Sequence, residues 1–276
     1  MAKFIFYFLV PLIALALALK LLVVFLEPHL TFLPIKGQQS APTSEISHKE
    51  IHLQTSDGEK IHAWLLQPSD SQAAVVFFHG NGGNLSLWQS FLEDMYHHSL
   101  TVLAVDYRGY GKSSGSPSEL GLYRDTEALL DTFWREIHQP DQVVFYWGRS
   151  LGGPVAAYAT TLRKPDGLIL EATFPNKQSL LNHYPVLKFL SLFSTYQFTT
   201  TKFLDGFSRP TLVIHGQQDE VVPFSEGEKL FEHLRGPKYF HAVPGAGHND
   251  LHIVDRSHYW SRVTHFIETI LRERTD

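Results

Sequence analysis

The sequence predicts an α/β domain, a mostly parallel central sheet with helices on both faces and a small helical cap, preceded by one transmembrane helix. Three observations predict it. From residue 73 onward, short continuous apolar runs alternate with helix-length segments. One interval between such runs, from Ala172 to Thr211, is far longer than a crossover helix needs. An uninterrupted apolar stretch occupies Phe4 to Leu26.

That stretch, FIFYFLVPLIALALALKLLVVFL, is 23 residues long with Lys20 as its only charge. A helix of this length reaches roughly 34 Å, enough for a hydrocarbon core of about 30 Å. Its many Leu, Ile, Val and Phe residues outweigh the roughly 3 kcal/mol that Lys20 costs at the bilayer centre, and Pro11 is tolerated in lipid. Residues 1–26 are therefore expected to be an uncleaved anchor. A cleaved signal peptide, suggested by Lys3 and the alternating Ala14, Ala16 and Ala18, and a buried soluble helix are the competing readings. Positive charge before the span favours a cytoplasmic amino terminus, which puts the rest of the chain outside the cytoplasm, in the periplasm of a bacterium.

Residues 27–45 hold Pro28, Pro34, Pro42, Gly37 and the polar run QQSAPTSE, and are expected to be a linker. The domain is expected over 46–276. It starts with ISHKEIHLQT and KIHAWLLQ, which alternate in period two around SDGE and predict an antiparallel edge hairpin. The runs 73–79, 101–106, 142–148, 167–172, 211–216 and 238–243 follow, with helical segments such as 118–139, 151–163 and 225–235 between them. Strands without alternation are buried on both faces, which is the mark of a parallel sheet. Residues 175–207, rich in Leu, Phe and Tyr, are expected to be a helical cap, some of whose side chains line the passage above the site. Packing of those residues onto the domain, or contact with a bilayer, is the alternative.

Composition narrows the chemistry. Lys plus Arg number 23 against 28 Asp plus Glu, a formal charge of −5, so no global basic surface exists and no nucleic-acid partner is expected. With no cysteine, disulfides, thiolate metal sites and a cysteine nucleophile are excluded. Gly148-Arg149-Ser150-Leu151-Gly152 then supplies a nucleophile, because G-x-S-x-G between a strand and a helix is the sharp turn that exposes a serine oxygen. A serine needs a base and an orienting acid. Asp219 in HGQQDEVVP and His248 in PGAGHND each follow a strand, in the chain order such folds use. The candidate catalytic residues are therefore Ser150, Asp219 and His248, with Glu171 as the second choice of acid. Backbone N–H groups of Leu151 and of Asn81, in the glycine-rich run His79-Gly80-Asn81-Gly82-Gly83-Asn84, are the candidate oxyanion-hole donors.

HGNGGN, DYRGYGKSSGSPSE, GRSLGG, HGQQDEVVP and GAGH together resemble the α/β-hydrolase superfamily, over roughly 46–274, and within it the membrane-anchored Bem46-like branch. The resemblance implies the α/β-hydrolase fold and the same site residues. It implies structural roles for Asp106 and Arg108, and supplies no substrate. The elbow GRSLGG differs from the tryptophan-containing elbow of proline iminopeptidases.

Other patterns carry less. Gly111-Lys112-Ser113 lacks the earlier glycine of a phosphate loop, since Asp106 stands there. His248 and His252 have zinc-ligand spacing, but Asn249 replaces the glutamate of H-E-x-x-H. His48, His52, His62, His97 and His98 are expected at the surface, and Trp88, Trp134 and Trp147 in the core. The function expected is a membrane-anchored serine hydrolase that cleaves an acyl ester or thioester through an acyl-serine, with no cofactor and no metal. Its partners are a small-molecule or lipid-like acyl substrate and the membrane. A serine peptidase, aminopeptidase-like, and a non-catalytic binding module on the same fold remain the alternatives.

Overall fold

The computed structural model describes residues 2–37 and 40–275. Eight strands form one sheet: β1 (His48–Gln54), β2 (Lys60–Leu66), β3 (Ala73–Phe78), β4 (Leu100–Asp106), β5 (Val143–Arg149), β6 (Gly167–Glu171), β7 (Thr211–Gly216) and β8 (Lys238–Val243). Their order is β1-β2-β4-β3-β5-β6-β7-β8. β2 pairs antiparallel with β1 and β4, and all other neighbours are parallel. This is the expected α/β-hydrolase architecture.

The continuous apolar runs have a direct physical cause. In β3, Ala74, Val76 and Phe78 enter one core while Ala73, Val75 and Phe77 enter the other. β5 repeats the pattern, with Val144 and Tyr146 on one side and Val143, Phe145 and Trp147 on the other. Successive side chains point to opposite faces, so a strand covered on both sides needs apolar residues at every position. The first core is closed by α3 (Glu119–Thr132), α4 (Gly152–Leu162) and α8 (Phe224–His233) through Leu122, Leu129, Val155, Ala156 and Leu230. The second is closed by α2 (Leu85–His97) and α9 (Arg256–Thr275), through Phe91, Leu92, Tyr259, Val263 and Ile267. Asn84 caps α2, its side chain accepting from Ser86 N–H at 3.0 Å.

The amino-terminal helix, α1, runs from Ala2 to Thr31, five residues past the expected end. Within Tyr7–Thr31 an 18-residue window reaches a mean hydropathy of 2.8, and this is the one helix among the described residues long and apolar enough to cross a membrane. The segment expected as a free linker is in part docked. Glu27, only 5% exposed, accepts from Lys177 and Ser194 and from the N–H and hydroxyl of Thr195 at 2.9 and 2.8 Å. Phe32 is buried edge-on against Tyr196 and Phe198. Leu33–Pro34 then pairs in parallel with Gly82–Gly83, and Lys36 bridges to Gly111. Backbone groups make the pairings at 33–36, which is why Pro and polar side chains do not prevent them.

The cap inserted between β6 and β7 carries three short helices, α5 (Lys177–Leu181), α6 (Pro185–Ser191) and α7 (Thr200–Leu204). Leu181, Leu187 and Leu190 face Leu19, Leu22, Val23 and Leu26 of α1 across an apolar groove. His62, expected at the surface, is fully buried, since β2 lies between β1 and β4; its Nδ1 lies 3.2 Å from the Asp106 carboxylate. His52 and His97 are exposed, and His98 stacks half-buried on Trp260. Trp147 is in the core as expected, whereas Trp134 is half-buried with Arg163 over its ring. Arg108 is clamped by Asp125 and Asp57, both at 2.8 Å, and Asp106 accepts from Leu85 N–H at 2.9 Å.

Candidate active site

Ser150 stands where β5 turns into α4, at φ +52°, a conformation a side-chain-bearing residue adopts only under constraint. The constraints are identifiable. Ser150 N–H donates to Glu171 O at 2.8 Å, and its carbonyl accepts from Thr173 Oγ1 at 2.7 Å and Gly153 N–H at 2.9 Å. The flanking glycines are required by space. A Cβ on Gly152 would overlap the Phe78 carbonyl, and one on Gly148 would overlap Gly152 O. The elbow thus packs strand against helix with nothing between.

The turn after β7 carries Asp219, and the loop after β8 carries His248. Asp219 Oδ1 accepts from the N–H groups of Val221 and Val222 at 2.9 and 2.7 Å. Its Oδ2 lies 2.8 Å from His248 Nδ1 and 3.4 Å from His215 Nε2. Burial opposes ionisation of this carboxyl, but hydrogen bonds from His215, His248 and Val222 N–H outweigh it and hold Asp219 well below the usual carboxylate range. On the other ring edge, His248 Nε2 lies 3.0 Å from Ser150 Oγ. With Nδ1 protonated toward Asp219, Nε2 is free to accept the serine proton. The three residues expected from the sequence therefore form one hydrogen-bonded line. Glu171, the second choice of acid, is turned elsewhere, accepting from Trp147 Nε1 at 2.9 Å and Tyr259 OH at 3.0 Å.

A cavity of about 580 Å³ opens over Ser150, lined by Leu33, Gly80, Asn81, Trp88, His248 and Ile253 among others. A Cβ on Gly80 would lie 3.5 Å from Ser150 Cβ, so the glycine-rich turn closes directly over the nucleophile. Asn81 is on this wall, and Leu151 precedes the first turn of α4. No residue of 175–207 lines the cavity, which corrects the expectation that the cap walls the passage. The apolar cap residues instead pack along α1, enter the core of the domain, as buried Phe198, Leu204 and Phe207 do, or are exposed, as Val186, Phe189 and Leu192 are. Trp88, expected in the core, is half-buried at the cavity wall.

Arg149 was not singled out from the sequence. It is 2% exposed, donates from Nη2 to the carbonyl of His248 at 3.1 Å, and lies 5.0 Å from the Trp88 ring and 3.6 Å from Glu171. A cation closing an otherwise apolar strand was the available signal. His252 also lines the cavity, its ring 4.9 Å from Phe91. Among the described residues, no group of three or more His, Cys, Asp or Glu side chains could hold a metal ion.

Strand order, elbow and hydrogen-bonded line define a class, the α/β folds that carry a Ser-His-Asp constellation at the carboxyl ends of their strands. Comparison with known proteins agrees on the fold. The family profile for the α/β hydrolase fold matches residues 73–182, and that of the prolyl oligopeptidase family matches residues 181–274. An uncharacterized membrane protein of Saccharomyces cerevisiae is 30% identical over 229 residues, 80% of each chain. The α/β-hydrolase domain-containing protein aho-3 of Caenorhabditis elegans is 30% identical over 249 residues, 85% of this chain and 70% of its own. The chain belongs to the α/β-hydrolase superfamily. In fold it also resembles the Pyrococcus furiosus esterase Pf2001, with a TM-score of 0.69 at 17% identity over 87% of this chain and 99% of that one.

Proposed function

We propose that the protein is a membrane-anchored serine hydrolase that cleaves an acyl ester or thioester with an apolar acyl group. The observation that carries this reading is the continuous line from Ser150 Oγ through the His248 ring to Asp219, at 3.0 and 2.8 Å. In the mechanism that follows, His248 Nε2 takes the Ser150 proton as Oγ attacks the acyl carbonyl. The oxyanion is met by the N–H groups of Leu151 and Asn81, helped by the amino-terminal dipole of α4. Collapse expels the alcohol or thiol, which takes the proton from His248 and leaves an acyl-serine. Water, deprotonated by His248, releases the acid and restores the serine. Asp219 keeps Nδ1 protonated and stabilises the imidazolium.

An ester is favoured over a peptide by what surrounds the serine. Among the described residues lining the cavity there is no Asp or Glu to receive a free amino terminus, and Leu33, Leu87, Trp88, Phe91 and Ile253 make its wall largely apolar. The span of α1 supports anchoring, and the positive charge of the amino terminus and Lys3 before it favours a domain outside the cytoplasm.

The test is covalent labelling of the full-length protein by a fluorophosphonate probe, with turnover of p-nitrophenyl esters. Ser150→Ala should abolish both, and Asp219→Asn should lower kcat by roughly 10³- to 10⁴-fold without unfolding the domain. Natively folded wild-type protein that neither labels nor turns over ester would leave a binding module. Faster turnover of alanyl or prolyl anilides than of esters would make the protein a peptidase.

A further inference from the structure

We infer that the juxtamembrane segment Thr31–Lys36 is a strap that positions the oxyanion loop through its backbone. The inference rests on the reading of Asn81 N–H as an oxyanion donor and extends it to residues outside the hydrolase core. The glycine-rich turn 80–83 gains close approach to Ser150 at the expense of rigidity, because glycine backbones lose the most freedom on ordering. A donor that must lie within tenths of an ångström of a developing charge needs that freedom removed beforehand.

The strap removes it. Leu33 N–H donates to Asn81 O at 2.9 Å and Ile35 N–H to Gly83 O at 2.8 Å, so the loop is paired as a short parallel ladder. Asn81 Nδ2 donates to Thr31 O at 3.3 Å, and Asn84 Nδ2 to Ile35 O at 3.2 Å. From the far side Tyr110 OH donates to Asn81 O at 2.7 Å, while Gly111 N–H donates to Ile35 O at 2.9 Å, so strap and loop are bonded to one another and to the 107–111 turn. The carbonyl of Asn81 takes two donors, which fixes the Asn81–Gly82 peptide plane. Ties at Asn81 Nδ2 and Gly83 O then hold the segment on either side. Leu33 contributes its side chain to the cavity wall, and buried Phe32 holds the strap in place. These residues act through the loop and are positioning residues.

Full-length protein in detergent or vesicles tests this with Ile35→Pro, which deletes one ladder N–H, and Asn81→Ala, which deletes the tie to Thr31 while keeping the Asn81 N–H. Ile35→Val keeps the N–H and is the conservative control. Loss of an oxyanion donor costs on the order of 10²- to 10³-fold, so misplacing one should lower kcat for p-nitrophenyl acetate by about tenfold or more. KM should change less than about twofold, end-point fluorophosphonate labelling should stay stoichiometric, and Ile35→Val should match wild type. The specific signature is the oxoester to thionoester rate ratio, because sulfur is a poor acceptor and gains little from the hole. That ratio should fall with kcat. Unchanged kcat in both variants, or an equal fall for oxo- and thionoester, would overturn the inference; if Ile35→Pro does not fold, Asn81→Ala alone decides. Turnover that survives Ser150→Ala would instead overturn the underlying reading of the site.

Discussion

Replacing Arg149 by methionine separates what holds the site together from what holds it in register. The guanidinium is buried with four neighbours: the His248 carbonyl at 3.1 Å, Glu171 at 3.6 Å, and the rings of Trp88 and Phe91 at 5.0 and 5.6 Å. Methionine keeps the unbranched apolar stem out to about the position of Nε but removes the charge and the donor. Leaving the partner of a buried pair uncompensated costs roughly 3–5 kcal/mol. Glu171 keeps the donors on Trp147 and Tyr259, so the low end, about 3 kcal/mol, is expected. For a domain of this size that lowers Tm by roughly 6–12 °C. The His248 loop also loses its backbone anchor, and kcat should fall about tenfold through displacement of the imidazole. The double variant Arg149→Met/Glu171→Gln distinguishes the two effects, since it removes the orphaned charge and restores nothing at His248. Scanning fluorimetry should show most of the lost Tm regained, while kcat on p-nitrophenyl acetate stays low. A single variant within about 2 °C of wild type would refute the electrostatic argument. Recovery of kcat in the double variant would refute the anchoring argument.

Three further outcomes follow from particular residues. His241 is pushed down to about 4 by burial and by the positive charges of His258 and Arg262, so the folded state refuses a proton that the unfolded chain accepts near pH 6.5. Stability should therefore be lost as pH falls from about 6.5 toward 4, and His241→Leu should flatten that loss in Tm measured against pH. Asp219 has the same slope for the opposite reason: its depressed carboxyl stabilises the fold above the ordinary range near 3.9, and that share disappears on further acidification, so Asp219→Asn should cost least Tm in acid. Gly152→Ala should destabilise by about 3 kcal/mol because its Cβ meets the Phe78 carbonyl, whereas Gly206→Ala, with open space around it, should change stability by under about 0.5 kcal/mol in denaturant melts.

The parts of this molecule that were legible from sequence share one property: side chains specify them. Strands β3 to β7 show as apolar runs because both their faces are covered, and the elbow shows because only glycine fits at 148 and 152. Ser150 and Asp219 were recognisable because each closes or follows such a strand, and His248 because it follows the apolar run of β8. The strap was not, because backbone amides make its ladder and its composition is that of a loop. His62 misled for a related reason, since alternation in β2 resembles that of an edge hairpin when β4 is not yet known to lie beside it. The cap misled because apolar density says how much surface is buried but not against what, and here α1 and the domain's own core are the partners.

The elbow closes β5, which has four strands on one side of it and three on the other. Amides at the middle of such a sheet exchange with solvent only through global unfolding, whereas turns and short helices open by themselves. Asp219 and His248 ride on loops, and the cap rides on helices of five to seven residues. On warming, the acid and base should therefore wander from a nucleophile that has not moved. Activity would fade before the sheet melts, and cooling would bring it back, because the part of the site hardest to rebuild had never come apart.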